Sequence, residues 1–467
     1  MNRLERILWR CLLLCVPVSA TPILPFGSGT LARPLAVVPA ALLLLCALVR
    51  MTTLRQRPRL AARGFAELGL FTLYAAVGGL LVVSGGGDEV FKGQTPAESL
   101  VRALLTWAVG LVFYVTARLR IRTQDDIRET LRYLFIGMTA SIGLAGLQVF
   151  AITQGGEFFR AVQFVTDLFA VHYDGLVVRA QGMTFEPSWL ATQIIVLLMP
   201  ALAARALSRQ DFTGIPVGPG FAVAVAGMLF SGSRFGLACM IALLVLGGFL
   251  AALRGRMAIA GVFLAALLGG GAGIFALSGA GAGAGASYVV DPIAAVTGSA
   301  DLSATADSTT AVTDALTLAG RAAAAEAAAL TWLDHPLFGV SLGNNYRYFS
   351  AYAPDWAFAS QLFQGSKEGV GWLDPNSPEK GNAKNLFLRL LSETGLAGFA
   401  LFALFFLRQI FQGKPRDAFH GYFRLMSAVA LGFSFLNQDT FVDAGLWIPL
   451  ALCFAMNQGN REAPPTV

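Results

Sequence analysis

The sequence predicts an all-α polytopic membrane protein with about twelve transmembrane helices and a long, partly helical outer loop before the last three. Three observations predict it. Of 467 residues, 55% are hydrophobic and only 13% charged, and mean hydropathy is +0.63; soluble domains carry about twice that charge. Apolar stretches long enough to cross a bilayer, which takes about 20 helical residues, recur along the whole chain. The basic residues gather in alternate connections. So few charges cannot cover a water-facing surface, which excludes the multidomain soluble protein that length alone suggests. The net charge of +6 then reflects loop arginines and not a nucleic-acid surface, and no nucleic-acid partner is expected.

The spans fall near residues 7–26, 35–49, 65–84, 101–117, 133–153, 188–204, 214–231, 235–253, 257–278, 385–407, 421–436 and 443–458. They divide the chain into helices one to nine (1–276), a large loop (277–383), and helices ten to twelve with the C-terminus (384–467). The connections test the count. One basic loop carries Arg50, Arg55, Arg57, Arg59 and Arg63, and the next Arg118, Arg120, Arg122, Arg128 and Arg132. Then follow Arg205 with Arg209, Arg254 with Arg256, and Arg408, Lys414, Arg416 and Arg424. With twelve spans all of them share one side, which the positive-inside rule makes cytoplasmic, together with both termini. The N-terminal run ending in Val18-Ser19-Ala20 has features of a signal peptide, but Arg10 interrupts it and no soluble domain follows, so it reads as the first span. Cys11, Cys15, Cys46, Cys239 and Cys453 all lie in apolar stretches without metal-ligand spacing, so neither a disulfide framework nor a zinc site is expected.

On the opposite side the 277–383 loop is far longer than a connector. It opens with a Gly-Ala repeat, a joint with no side chains to pack. The Ala- and Leu-rich stretch from Thr310 to Leu333 predicts one or two helices. The shorter outer loop, from Gln154 to Glu186, holds more polar groups than a turn needs. Long ordered loops on a rigid scaffold are where function concentrates.

Four constellations face this outer side. Ser231-Gly232-Ser233-Arg234 joins two spans; its plain reading is a tight turn with an interfacial arginine. Gly320-Arg321 precedes Trp332 and the run His335-Pro336-Leu337-Phe338-Gly339-Val340, and an arginine on a loop helix is ordinarily a solvated charge. Lys384-Asn385 is followed after nine residues by Gly395-Leu396-Ala397-Gly398, which alone reads as an interfacial lysine and a small-residue packing face. Thr184-Phe185-Glu186-Pro187-Ser188-Trp189 suits a helix start, with Pro187 in the first turn and Glu186 ahead of it. Arg179 lies on the same outer loop, and so does His172.

Taken together these residues resemble the O-antigen ligase and polymerase superfamily of bacterial surface polysaccharides, the WaaL-type ligases and Wzy-type polymerases. Ser233-Arg234 resembles the family's Ser-Arg at a periplasmic helix start. Arg321 and the His335–Val340 run resemble its loop arginine and the segment that follows. Asn385 to Gly398, with Glu393-Thr394-Gly395, resembles its His-Asn, nine residues, Gly-x-x-Gly motif, except that Lys384 stands where the family has a catalytic histidine. The Phe-Glu-Pro-Ser run around Glu186 is similar to polymerases. The resemblance implies an inner-membrane, multi-pass glycosyltransferase with its active site facing the periplasm. Its donor would be an undecaprenyl-diphosphate-linked glycan and its reaction the inverting polymerisation of repeat units. Partners would be membrane lipid and a chain-length regulator. The close alternative is a ligase moving glycan to lipid A core. A precursor transporter or flippase is the alternative from another class, although no half of the chain resembles the other and most charges sit at span ends.

The chemistry of such a reaction assigns roles. A diphosphate leaving group without a metal asks for fixed positive charge, and arginine suits it, so Arg234 and Arg321 are the catalytic cations. No Asp-x-Asp or His-rich cluster occurs among the predicted outer residues, and neither metal nor cofactor is expected. Spans starting near Pro187, Arg234 and Asn385 all point N-termini outward, which favours an anion if they are neighbours. Lys384 and Glu186 divide the remaining work. A lysine at its ordinary pKa is neutral in only about one molecule in two thousand at pH 7. Phosphate binding by Lys384, with Glu186 as base, therefore stands slightly ahead of Lys384 as base. Ser233, Asn385, Arg179 and His335 are the expected substrate-binding residues.

Overall fold

The computed structural model describes residues 3–23, 32–53, 64–85, 89–170, 179–208, 210, 214–280, 309–359 and 371–457. Among them there are helices and no strand: α1 (Arg3–Cys15), α2 (Val37–Thr53), α3 (Phe65–Gly85), α4 (Pro96–Arg120), α5 (Gln124–Gln154), α6 (Gly156–Asp167), α7 (Pro187–Ser208), α8 (Val217–Ser231), α9 (Arg234–Leu253), α10 (Met257–Ala280), α11 (Thr309–Asp334), α12 (Leu386–Phe411), α13 (Ala418–Asn437) and α14 (Ala444–Asn457). Each of the twelve predicted spans overlaps one of these. Six of them, α3, α4, α5, α7, α9 and α12, are long and apolar enough to cross a membrane, while α2, α8, the first part of α10 and α14 are shorter apolar helices. Arg55, Arg57, Arg59, Arg63, Arg209, His172 and the Gly-Ala joint beyond Ala280 lie outside the described residues.

α7 and α14 are buried on nearly every side, which explains why their sequences are apolar all round. α7 carries a π turn at Ile194–Leu198. Around them α3, α5 and α9 turn large apolar side chains outward, among them Leu73, Leu81, Leu147 and Phe249, as lipid-facing helices do.

One end of the bundle is laced by the predicted basic loops. Arg50 and Arg120 both pair with Glu5, at 3.0 and 2.9 Å, and Arg10 pairs with Glu129. Arg408 pairs with Glu67, Arg118 donates to the Tyr114 hydroxyl and to Gln409, and Arg424 donates to the carbonyls of Ile410 and Gly413. Arg254 lies over the Tyr422 ring and Arg256 donates to the Leu207 carbonyl. These contacts link the basic loops to one another, so they share an end, as their charge pattern predicts.

The first predicted span is overturned in form. α1 stops at Cys15 because Pro17 lacks an N–H and disfavours helix in the residue before it. After a turn at Val16-Pro17, residues 18–21 continue extended and buried to the opposite end. Their backbone is satisfied by pairing: Thr21 N–H donates to Arg33 O (3.0 Å), Arg33 N–H to Ser19 O (2.8 Å) and Leu35 N–H to Val18 O (2.9 Å). Non-helical backbone is tolerated at such depth where protein surrounds it. The Gln154–Glu186 connection, read as a loop, contains the helix α6.

The longest element in the described part of the 277–383 loop is the helix α11, followed by short helices at Tyr346–Phe349 and Asp355–Ala359. It has a small core of its own, with Ala323, Ala327 and Ala328 against Phe349 and Trp372. Its attachment to the bundle is a backbone interlock. Gly395 interrupts α12 with φ 62° and ψ −172°. The Leu396 N–H, which an unbroken helix would aim at Ser392 O, donates to Pro336 O (2.8 Å), and Ala397 N–H donates to Leu337 O (3.3 Å). The released Ser392 carbonyl accepts Val340 N–H (2.9 Å). On the other flank the Tyr74 hydroxyl inserts between Thr394 O, to which it donates at 2.8 Å, and the Gly398 N–H, from which it accepts.

A side chain at either facing glycine destroys this fit. A Cβ on Gly395 would overlap the Leu337 backbone, and one on Gly339 would lie 2.5 Å from the Glu393 carbonyl carbon, both from positive φ. Gly395→Ala and Gly339→Ala should each destabilise by more than the roughly 1 kcal/mol that left-handed backbone alone costs. The purified variants should show a lowered thermal midpoint and faster proteolysis within 336–345. An unchanged midpoint for both would remove the interlock's importance.

Candidate functional site

The site is at the end away from the basic loops, where helix starts meet the loop helix. α7 begins at Pro187 with Glu186 as its N-cap residue. The Glu186 carboxylate does not cap the helix; it accepts a hydrogen bond from the Ser188 hydroxyl. Thr184 Oγ1 donates to the Glu186 carbonyl (2.9 Å), which shapes the turn before it. α9 begins at Arg234, capped by Ser233 Oγ accepting from Gly236 N–H (3.2 Å). Its first turn lies against α7: a Cβ on Gly236 would stand 2.6 Å from Ala191 Cβ. Arg179 is exposed beside the same turn, with its side chain against Gly232, and Ala180 N–H donates to Phe230 O. Glu186, Ser233, Arg234 and Arg179 therefore share one neighbourhood.

A polar relay joins this neighbourhood to the loop helix. Thr192, six residues or about 9 Å along α7 from Glu186, accepts from Asn437 Nδ2 at 3.2 Å. Asn437 Oδ1 accepts from Arg321 Nη1 at 2.6 Å. Two residues on, Asp439 Oδ2 accepts the Lys384 N–H at 3.1 Å. Arg321 and Lys384, distant in sequence, thus converge on Asn437-Gln438-Asp439. Lys384 has positive φ (49°), an uncommon conformation for a residue with a Cβ. Among the described residues no carboxylate or carbonyl pairs with its ammonium.

Beneath Lys384 lies a buried cluster. Arg389 pairs with Glu393 at 3.1 Å and donates to the Asp439 carbonyl. Glu393 also accepts from the Gly343 N–H, and Asn345 Nδ2 approaches Ser392 Oγ at 3.4 Å. The loop that interlocks with α12 therefore also helps hold the segment on which Lys384 rests.

The candidates named from sequence fare differently. Arg234, Arg179 and Glu186 gather, and Arg321 and Lys384 meet on the adjoining segment. Ser233 and Asn385 act as N-caps, Asn385 Oδ1 accepting Leu388 N–H at 3.2 Å, so their side-chain oxygens have structural partners. His335 stands apart. It lies fourteen residues, or about 21 Å, along α11 from Arg321 and sits edge-on to Tyr348 at 5.5 Å. The starts of α7 and α9 are neighbours as expected, and the start of α12 is tied to α7 through the end of α13, by Lys384 to Asp439 and Asn437 to Thr192. Sequence reasoning missed Thr192, Arg389, Asn437 and Asp439. The signal was Asn437-Gln438-Asp439-Thr440-Phe441-Val442-Asp443, too polar for a plain turn between apolar helices.

Outside the bundle, Lys92 donates to the carbonyls of Trp372 (2.9 Å), Asp374 (2.9 Å) and Glu379 (2.7 Å), clamping the chain that leads to Lys384. Burial pushes its ammonium below the ordinary lysine range. Lys380, over the Tyr346 ring, is pushed down to about 8 by burial and by Arg102, and further by Arg347, against the opposing pull of Glu98.

Two predictions follow from this geometry. In a double-mutant cycle on Arg321→Ala and Asn437→Ala, the coupling energy in unfolding should be about 1 kcal/mol, the scale of polar contacts in membrane bundles. A coupling near zero would remove the relay. For Lys380 the folded pKa is below the unfolded one, so the destabilisation is complete below about pH 8 and is relieved as pH rises towards about 10.5. Stability should rise over that window by at most about 1 kcal/mol after solvent screening, and Lys380→Gln should flatten the rise.

No family model matches the chain, and no curated protein matches it either.

Proposed function

We propose that this chain is a glycosyltransferase of the bacterial inner membrane that polymerises undecaprenyl-diphosphate-linked oligosaccharide repeat units on the periplasmic face, without a metal and with inversion. The carrying observation is the convergence of Arg321 and Lys384 on Asn437–Asp439, a segment bonded to α7, whose start holds Glu186 and whose first turns lie against the first turn of α9, which begins at Arg234. Three cations and two neighbouring helix N-termini at one end of an apolar bundle suit a diphosphate. That end is opposite the arginine-rich loops, which the positive-inside rule assigns to the cytoplasm.

In this reading an acceptor sugar hydroxyl attacks the anomeric carbon of the lipid-linked glycan. The new C–O bond forms as the bond to the diphosphate breaks, and the electron pair leaves with the diphosphate. Arg234 and Arg321 hold the departing oxygens, each charge-assisted bond contributing about 1.5–3 kcal/mol. Lys384 adds a third positive charge. Glu186, held by the Ser188 hydroxyl, takes the acceptor's proton. The interlock supports a transferase over a carrier. Broken helices in carriers leave backbone groups for ions, whereas here Leu396, Ala397, Ser392 and Thr394 all have protein partners at the break.

The test is purified full-length protein supplied with undecaprenyl diphosphate oligosaccharide, with product length as readout. The native protein should lengthen the glycan, and Arg321→Ala should lose about 100-fold or more, the scale of a lost charge-stabilising donor. Arg321→Lys should recover only part, because an ammonium lacks the planar fork. Lys384→Arg should keep appreciable activity and Lys384→Ala almost none; an inactive Lys384→Arg beside an active Lys384→His would make Lys384 the base, because a guanidinium does not deprotonate, and a fully active Lys384→Ala would dismiss both roles. Product formed only when lipid A core is added would assign ligation instead, and no transfer to either acceptor would end the transferase reading.

A further inference from the structure

The helix α6 is the part of the molecule that the proposed chemistry does not use. It lies just past the outer end of α5, beyond the turn Gly155-Gly156, where both residues have positive φ. Its side chains divide into three faces. Val162 and Thr166 are buried against α5, and Gln148 Nε2 of α5 donates to Thr166 Oγ1 at 3.0 Å. Arg160, paired with Glu157, and Gln163, donating to Asp167 at 2.9 Å, form a polar face. Phe158, Ala161, Phe164, Val165 and Leu168 make the third, an exposed apolar arc at helical spacing. Phe164 is 67% exposed and Leu168 51%. A helix that only met water would not carry such an arc.

Two contacts fix how α6 lies. Phe158 stacks edge-on against Phe150 at 5.5 Å, and Thr166 meets Gln148. Phe150 and Gln148 are about 3 Å apart along the α5 axis, while Phe158 and Thr166 are about 12 Å apart along α6. α6 therefore runs across α5 at a steep angle. Its depth follows from α5, whose apolar stretch from Leu134 to Ile152 is about the length of a hydrocarbon core. Phe150, near the outer limit of that stretch, and Leu147 are both exposed to the bundle's exterior. The apolar arc of α6 continues their lipid-facing surface through the Phe150–Phe158 contact.

We propose that α6 is an interfacial helix whose Phe158, Ala161, Phe164, Val165 and Leu168 face is immersed in bilayer lipid at the boundary between headgroups and acyl chains of the outer leaflet. Three-faced helices with one protein-bound, one polar and one apolar side suit that plane. The consequence reaches the site. Gln148 Oε1 also accepts the N–H groups of Gln181 (3.0 Å) and Gly182 (2.8 Å), so the anchored helix sets the depth of the chain entering Glu186. The inference rests on α5 crossing the bilayer and not on the transferase reading.

The experiment uses full-length Phe164→Trp in phosphatidylcholine vesicles, read as the emission difference from the parent protein. Lipids brominated at shallow or at deep acyl positions and aqueous iodide are the quenchers, and Arg160→Trp on the polar face is the reference. Shallow bromines should quench Phe164→Trp several-fold more than iodide does, with the order inverted for Arg160→Trp. Equal iodide quenching at both positions would overturn the proposal, and so would stronger quenching by deep bromines. Protection from lipid and iodide alike would replace lipid with a protein partner, a second copy included. Leu168→Trp, on the same arc, serves if Phe164→Trp fails to fold.

Discussion

The geometry of this molecule depends on the break in α12 at Gly395. A helix interrupted inside an apolar bundle leaves carbonyls and N–H groups that water cannot reach, and each costs several kcal/mol unless a partner is supplied. Here the supply comes from the backbone of Pro336, Leu337 and Val340 and from the Tyr74 hydroxyl. That exchange requires two glycines facing one another, because neither Gly395 nor Gly339 has room for a Cβ. Once the loop is seated, Gly343 reaches Glu393, Glu393 pairs with Arg389, and Arg389 holds Asp439. The position of Lys384 is the last step of this series.

The two ends of the bundle treat charge differently. Among the described residues of the basic end, Glu5, Glu67 and Glu129 each lie in a helix and receive an arginine from elsewhere in the chain, and Arg424 and Arg256 donate to carbonyls. Glu5 and Glu67 are buried, so losing their partners would leave uncompensated charge at the protein's edge. At the opposite end the Arg321 guanidinium is held by a neutral amide, and Lys384 meets Asp439 only through its backbone. Cations held by neutral groups keep their charge available to an anionic ligand.

Irregular backbone recurs wherever the site is approached. The extended segment after α1 reaches Phe185, whose N–H donates to Ser19 Oγ at 2.8 Å. The π turn in α7 follows Gln193, which bonds both Val16 O and Asp443. Gln148 holds the Gln181-Gly182 turn in the same way. In each case a buried side-chain amide or hydroxyl bonds a group of the irregular chain.

What the amino-acid sequence determined by itself was the helical class, the twelve apolar segments and the end that carries the basic loops. These follow from hydropathy and charge, properties local to each segment. The motifs around Arg234, Arg321, Lys384 and Glu186 were legible too, as residue types at helix starts. Tertiary structure decided the rest. Pro17 shortened α1, yet the extended residues 18–21 are stable only because residues 33–35 pair with them. Gly395 read as part of a packing face, and its role as a break depends on Gly339, fifty-six residues earlier. Asn437 and Asp439 looked like a turn, because a polar side chain becomes a site component only through what meets it. His335 joined its motif in sequence and left it in space, since the rigid helix α11 carries it away from Arg321. Local composition encodes which segments are buried, whereas hydrogen-bond partners are chosen by the packing of distant segments.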